Sequence, residues 1–254
     1  MKAALTAKMS PATARAVLRW LYILCGLILG IVTVGGITRL TQSGLSMVDW
    51  RLFMDMLPPL THDDWLRTFA KYQQYPQYLK ENAGMTLEQF KFIFFWEYIH
   101  RMYGRVIGLF YMFPLIYWAV RRELNRPLGL RLAGGFGFVC LQGFVGWFMV
   151  KSGLVNEPRV SHFRLATHLG LALALLAYHA WLALDLREAL GLAKAPKKKT
   201  LWTADLLWIG RILLAVVCLQ ILWGAFTAGL RAGWGYNTFP TMDGQWIPDA
   251  IGRE

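Results

Sequence analysis

The chain has 254 residues, of which 56% are hydrophobic and 15% aromatic, and its mean hydropathy is +0.37. This composition excludes a water-soluble domain with a polar surface and indicates a membrane protein. The formal net charge of +12 at pH 7 would suggest a nucleic acid partner for a soluble protein. Here the basic residues cluster in connections between apolar segments, so we expect the lipid bilayer as a partner and no nucleic acid.

Five apolar segments are long enough to cross a bilayer as helices, which requires about 20 residues each. The first segment follows basic residues, but its apolar run is longer than that of a signal peptide and no Ala-x-Ala cleavage site follows it, so we expect an uncleaved helix. The sequence therefore predicts an all-α membrane protein. The predicted spans cover roughly residues 18–38, 92–120, 132–150, 162–186 and 205–228.

The basic connections predict the orientation of these helices. By the positive-inside rule, the basic N-terminus and the connections after the second and fourth spans lie on the cytoplasmic side or its mitochondrial equivalent. We therefore expect a multi-pass protein of the bacterial inner membrane, or of the mitochondrial inner membrane in a eukaryote, with a cytoplasmic N-terminus. The basic residues of the two connections are Arg121, Arg122, Arg126, Arg131 and Arg187, Lys194, Lys197, Lys198, Lys199.

A long connection at about residues 41–90 falls on the outer side in this orientation. Its prolines and aromatic residues are typical of turns and short helices that lie along a membrane surface. A connection of this length inside a compact bundle favours a functional lid, and the alternative is a solvated connector.

The first and fifth spans share a spacing of glycine, threonine and glycine near their outer ends. This agreement predicts that the fifth span begins a second copy of a four-helix unit. We expect a four-helix transmembrane half at 1–190, with the long outer loop, and at 191–254 a basic linker, the fifth helix and the start of an incomplete second half. The matching residues are Gly30, Thr33 and Gly35 in the first span and Gly224, Thr227 and Gly229 in the fifth.

Two histidines occur at matching depths in apolar segments. His100 and His168 each lie about nine residues, or roughly 14 Å of helix, from the outer end of the span. Histidine is costly in hydrocarbon, so the pair indicates a functional site, and two facing imidazoles suit a haem iron with two axial ligands. The alternatives are hydrogen bonds to neighbouring helices, or a zinc or copper site, which usually needs more ligands. His179 has no partner histidine at its depth, and we expect it to be packed or hydrogen-bonded.

Two further residues share the helix face of His100. Gly104, one turn below, would let a flat macrocycle approach the backbone. Glu97, one turn nearer the surface, is costly in apolar surroundings unless it is protonated, paired or functional. It could transfer protons beside a haem edge or form an ion pair with Arg101.

Several arginines accompany these residues and offer positive charge to an acidic ligand. Arg164, one turn from His168, could pair with a propionate. Arg39, at the outer end of the first span, could bind a substrate carboxylate or extend to phosphate headgroups. The full set of candidate arginines is Arg39, Arg101, Arg105 and Arg164.

Four motifs follow one another at a characteristic spacing, GGITRLTQSGLSMVDW, FKFIFFWEYIHRMYGRVIG, LQGFVGWFMVKSGL and RLATHLGLAL. In these motifs and over nearly its whole length, the chain closely resembles the haem A synthase family of bacteria and mitochondria. The resemblance implies an oxidoreductase that converts a methyl group of haem O to the formyl group of haem A for cytochrome oxidase. By this resemblance, His100 and His168 are the iron ligands of the substrate haem and Glu97 is the acidic residue implicated in the oxidation.

The same family has eight spans in two four-helix halves, and its C-terminal half supplies a second histidine pair for a haem b. This chain ends at Glu254 without those helices, so we expect haem O in the N-terminal half and leave the haem b and full activity open. The implied partners are haem O, haem O synthase, an unidentified electron donor and a second copy of the chain. Rival interpretations are a bis-histidine b-type electron carrier and a non-catalytic haem-binding assembly factor.

Overall fold

The computed structural model describes residues 5–48, 57–153, 159–193 and 204–247. Over these residues the chain forms seven α-helices, one short 3-10 helix and no strand. The helices are α1 (Pro11–Leu40), α2 (His62–Tyr72), α3 (Pro76–Glu81), α4 (Leu87–Val120), α5 (Arg126–Gly153), α6 (His162–Ala189) and α7 (Ala204–Leu230), followed by the 3-10 turn Ala232–Trp234.

Five of these helices, α1, α4, α5, α6 and α7, are long and apolar enough to cross a membrane. They confirm the five predicted spans and the all-α membrane class. Each helix extends past its predicted apolar segment at one end or both, and polar caps accompany the added turns at the start of α1 and of α4. Ser10 caps α1 by accepting from the amide of Thr13, and Thr86 with Gln89 forms a capping box at the start of α4.

Four of the long helices form a bundle. The neighbouring pairs are α1 with α4, α4 with α5, α5 with α6, and α6 with α1. Consequently α4 and α6 face each other across one diagonal of the bundle, and α1 and α5 across the other. Helix α7 packs on the outside of α6 and is exposed along nearly all of its length.

The two ends of the bundle differ in packing. We call the end that carries α2 and α3 the cap end, and the opposite end, with the connection 121–125, the basic end. The main apolar core lies towards the basic end, and none of its fully buried members lies at the level of His100 or His168. These members include Val17, Leu21, Leu24, Ile28, Ile107, Tyr111, Leu132, Leu175, Leu182 and Leu186.

The described parts of the connection 41–90, residues 41–48 and 57–86, form a cap on α4. Its short helices α2 and α3 confirm the prediction of short helices there, while their place at a membrane surface and a lid function stay predictions. Aromatic residues of the cap form a second small core with the first turns of α4. Burial raises the pKa of Tyr72 to about 12, so this phenol stays neutral and donates to Gln77 Oε1 at 3.0 Å.

The threonines of the repeat predicted between α1 and α7 form the same local hydrogen bond. Thr33 and Thr227 each donate to the carbonyl four residues earlier, at 3.1 and 3.0 Å. Any threonine inside a helix can form this bond, so the repeat and the division at residue 190 stay predictions. The linker lysines at 194 and 197–199 lie outside the described residues.

Candidate functional site

The two histidines and two glycines lie at one level of the bundle, towards the cap end. His100 of α4 and His168 of α6 come from one diagonal, and Gly35 of α1 and Gly146 of α5 come from the other. A β-carbon built on Gly35 would lie 3.2 Å from His100 Nε2, and one on Gly146 would lie 2.9 Å from His168 Cε1. The two imidazoles are near enough to interact electrostatically. All four helices therefore contribute to a single site.

The glycines make this level possible. Real β-carbons essentially never come within 3.0 Å of another heavy atom, so a side chain at Gly146 would displace the His168 ring. A flat group held between facing imidazoles would extend towards α1 and α5. There Gly35 and Gly146 offer backbone without side chains, which fits the shape of a porphyrin.

Two buried polar atoms beside the histidines have no hydrogen-bond partner among the described residues: Trp96 Nε1 and Gln142 Oε1. Trp96 precedes His100 by four residues and so shares its helix face. Gln142 donates from Nε2 to the His168 carbonyl at 3.0 Å, and the same nitrogen lies 3.2 Å from His168 Nδ1. Unsatisfied buried polar atoms are costly unless a ligand pairs with them. An amide side chain inside an apolar span could have marked Gln142 as a candidate from the sequence alone, but it was not predicted.

Glu97 lies beside this level and is only 2% exposed. Its Oε2 accepts from the Ser46 amide at 2.6 Å, the Ser46 hydroxyl at 2.6 Å and the Met47 amide at 2.9 Å. Its Oε1 forms an ion pair with Arg101 at 2.5 Å. The sequence left an ion pair with Arg101 and proton transfer open as alternatives for Glu97; the ion pair is present, and the bonds to Ser46 and Met47 were not predicted. Four donors thus engage this carboxylate, and those from Ser46 and Met47 tie the start of the cap to α4.

The other candidate residues have partners of their own. The Arg164 guanidinium lies 5.1 Å from the Phe148 ring centroid. Arg105 Nη1 contacts Met102 Sδ at 3.3 Å. A β-carbon on Gly104 would lie 3.5 Å from Ile31 Cδ1 of α1, so this glycine serves the packing of α4 on α1 and its contact with a macrocycle stays a prediction.

Arg39 has partners that the sequence did not indicate. Its guanidinium donates to the carbonyls of Ala228 and Gly229, at the C-terminal end of α7. Cations are stabilised at helix C-termini by the unpaired carbonyls and the helix dipole. Arg39 therefore fastens α1 to α7 at the cap end, and its binding to a ligand stays a prediction.

His179 is fully buried at the basic end. Its Nδ1 donates to the Leu175 carbonyl at 2.7 Å, and its Nε2 lies 3.1 Å from the Tyr111 hydroxyl. A β-carbon on Gly135 would overlap that hydroxyl and lie 2.8 Å from His179 Nε2. Both ring nitrogens have partners, which confirms the prediction that this histidine is hydrogen-bonded.

A family model identifies the group of proteins to which the chain is related. The model for COX15-CtaA, described as "Cytochrome oxidase assembly protein", matches residues 18–253. The chain belongs to this family. The match includes both histidines, both glycines of their level and Glu97.

Named relatives come from bacteria and from mitochondria-bearing organisms. The chain is 49% identical over 233 residues to "Heme A synthase" of Nitrosospira multiformis. This alignment covers 91% of the chain and 64% of that protein. It is 47% identical to "Heme A synthase" of Flavobacterium psychrophilum, covering 93% and 68%, and 46% identical to "Heme A synthase COX15" of Mus musculus, covering 95% and 59%. The chain thus spans about two thirds or less of these relatives' lengths. No solved structure gives a significant match.

Proposed function

We propose that this protein acts in haem A synthesis as an oxidoreductase that converts a methyl group of haem O to a formyl group, with His100 and His168 as the two axial ligands of the substrate iron. One observation carries the proposal. At one level of the bundle, the diagonally opposed helices α4 and α6 present His100 and His168, and the other two helices present Gly35 and Gly146. The names of the relatives support it. An imidazole pair supplies only two ligands, which suits an iron that brings four porphyrin nitrogens.

The residues around the histidines fit a porphyrin. Gly35 and Gly146 leave room for its faces or edges, and the unpaired indole N–H of Trp96 is one turn nearer the cap, where a propionate could accept from it. Gln142 fixes the orientation of His168. The candidate arginines Arg39, Arg101, Arg105 and Arg164 would add positive charge for the propionates.

The bound haem would supply the oxidation chemistry itself. The protein would contribute orientation of the iron, exclusion of water and a proton acceptor. We assign the last role to Glu97, which would accept or return a proton at one of its carboxylate oxygens. To do so, it has to release a bond from Ser46 or Arg101, so a movement of the cap would accompany proton transfer.

The orientation in the membrane, the division of the chain and the partners are further parts of this proposal. The cap would face the periplasm or intermembrane space, with the N-terminus in the cytoplasm or matrix. Residues 1–190 would be the haem O half, and α7 would begin a second half, for which the family resemblance implies a haem b. Haem O synthase would deliver the substrate, and an electron donor and a second copy of the chain are further partners.

A bis-histidine electron carrier is the second candidate. The observation that favours it is Glu97, whose carboxylate oxygens are both engaged by protein donors. Such a carrier would show a reversible haem spectrum without changing the porphyrin.

The test is conversion of haem O in cells that lack haem A and express this protein. Pigment extraction should give formyl-bearing haem A with the wild-type protein and with His62→Ala, an exposed histidine of α2. His100→Ala and His168→Ala should abolish the product. Undiminished haem A in either variant would eliminate the assignment, and unchanged haem O with bound pigment in the wild type would favour the electron carrier.

A further inference from the structure

Three arginines from distant parts of the chain meet around one carboxylate at the cap end. Arg159 Nε lies 2.5 Å from Glu81 Oε1, and Arg231 Nη2 lies 3.0 Å from Glu81 Oε2. Arg39 donates to the carbonyls of Ala228 and Gly229, which precede Arg231 by only three and two residues, and so lies beside this pair of arginines. Three positive charges thus face one negative charge, which leaves two positive charges unbalanced among the described residues.

Arg231 shows that this cluster is short of an acceptor. Its side chain is only 20% exposed, and its Nε is buried without a hydrogen-bond partner among the described residues. Its backbone has φ 56°, in the left-handed region that glycine usually occupies just after a helix. An arginine at such a position, with a donor left unpaired, indicates that the side chain serves a ligand.

The position of the cluster limits the kinds of ligand that can reach it. Arg39 follows Gly35 by four residues on the same face of α1, so the cluster lies about 6 Å beyond the histidine level, towards the cap end. In the assigned orientation this is the outer surface, where the positive-inside rule disfavours clustered arginines. Arginine recognises carboxylates and phosphates by paired hydrogen bonds.

We propose that Arg39, Arg159 and Arg231 form a binding site for an oxyanion, with Glu81 holding two of the guanidinium groups in place. Two sources carry the required chemistry at this depth: a propionate of a porphyrin at the histidine level and the phosphate of an anionic phospholipid. The porphyrin source rests on the proposed function, and the lipid source does not.

The porphyrin arm of the test compares haemin with haemin dimethyl ester, which has the same ring without free carboxylates. Both are titrated into the purified full chain and followed by absorbance. If a propionate fills the site, the wild type binds haemin about tenfold more tightly than the ester. Arg159→Gln and Arg231→Gln lose this preference while still binding the ester.

The lipid arm uses native mass spectrometry of the protein released from nanodiscs of phosphatidylcholine and phosphatidylglycerol. If a lipid phosphate fills the site, the wild type retains phosphatidylglycerol and the two variants lose it. Arg67→Gln is the matched control in both arms, because it removes the same charge from an arginine that is 72% exposed and paired with Asp64. Arg159 is 56% exposed, so its replacement keeps the test valid if Arg231→Gln fails to fold.

Either preference, if lost in the variants and kept in the control, supports the oxyanion site and identifies its source. Equal binding of both haemins together with equal lipid retention in all proteins would overturn it. Failure of the wild type to bind either haemin would instead count against the proposed function. In that case lipid retention alone would decide the arginine site.

Discussion

The bundle holds histidines at both ends, and their surroundings are opposite in character. At the basic end, His179 is fully buried and both ring nitrogens have protein partners. At the cap end, the rings of His100 and His168 lie against glycine backbone, and two buried polar atoms nearby have no partner among the described residues. The first arrangement is complete in the protein alone, and we propose that a bound ligand completes the second.

This difference matches the distribution of the core. The main apolar core lies towards the basic end, so that end can hold the four helices together without a bound group. We therefore expect stability to depend mainly on the basic end and ligand binding on the cap end. Substitutions at the two ends should have separable effects, and the following three test that separation.

The largest effect is expected for Glu97→Gln. The substitution leaves Arg101 buried without its carboxylate, and removing one partner of a buried ion pair costs about 3 kcal/mol. The cost should appear as opening of the cap, because a neutral amide accepts from Ser46 and Met47 more weakly than the carboxylate does. Hydrogen exchange of these two amides should accelerate by roughly 100-fold.

Glu88→Gln is the matched control for the cap. Glu88 lies in the first turn of the same helix, is 79% exposed and pairs with Lys91. Its replacement should leave exchange at Ser46 and Met47 unchanged. Equal exchange rates in both variants would show that Glu97 does not hold the cap.

A smaller effect on global stability is expected for Gly135→Ala. The new methyl group would overlap the Tyr111 hydroxyl and crowd His179, and overpacking with loss of a buried hydrogen bond costs about 2 kcal/mol. The free energy of unfolding in mixed detergent micelles should fall accordingly, while haem affinity is retained. Gly137→Ala is the control, because nothing lies within 4 Å of its β-carbon; a loss of stability in both variants would contradict this account.

The smallest effect, and the most local, is expected for Gly146→Ala. Its methyl group would lie 2.9 Å from His168 Cε1, so the ring has to turn and the affinity for haemin should fall about tenfold, or about 1.4 kcal/mol. Any loss of stability should be smaller than for Gly135→Ala, since only one side chain is crowded and alanine favours helix more than glycine. Gly143→Ala, with open space around it, should leave the titration curve of the wild type unchanged, and an equal loss in both would place the haem elsewhere.

The sequence predicted what is local along the chain. Hydropathy located the five spans, and helix rise placed His100 and His168 at equal depths, because burial in a membrane depends on each segment alone. It did not predict which helices face each other, so the partnership of Gly35 and Gly146 with the histidines was out of reach. The contacts of Glu97 with Ser46, and of Arg39 with α7, join segments whose neighbourhood only the folded bundle defines.

The most direct test of the account is the electron paramagnetic resonance spectrum of the purified protein loaded with haemin. Two imidazole ligands from one diagonal predict a six-coordinate low-spin iron in the wild type and in His62→Ala. His100→Ala and His168→Ala should each convert the signal to high spin. A high-spin wild type, or a low-spin signal that survives both single substitutions, would contradict the claim that these two histidines bind one iron.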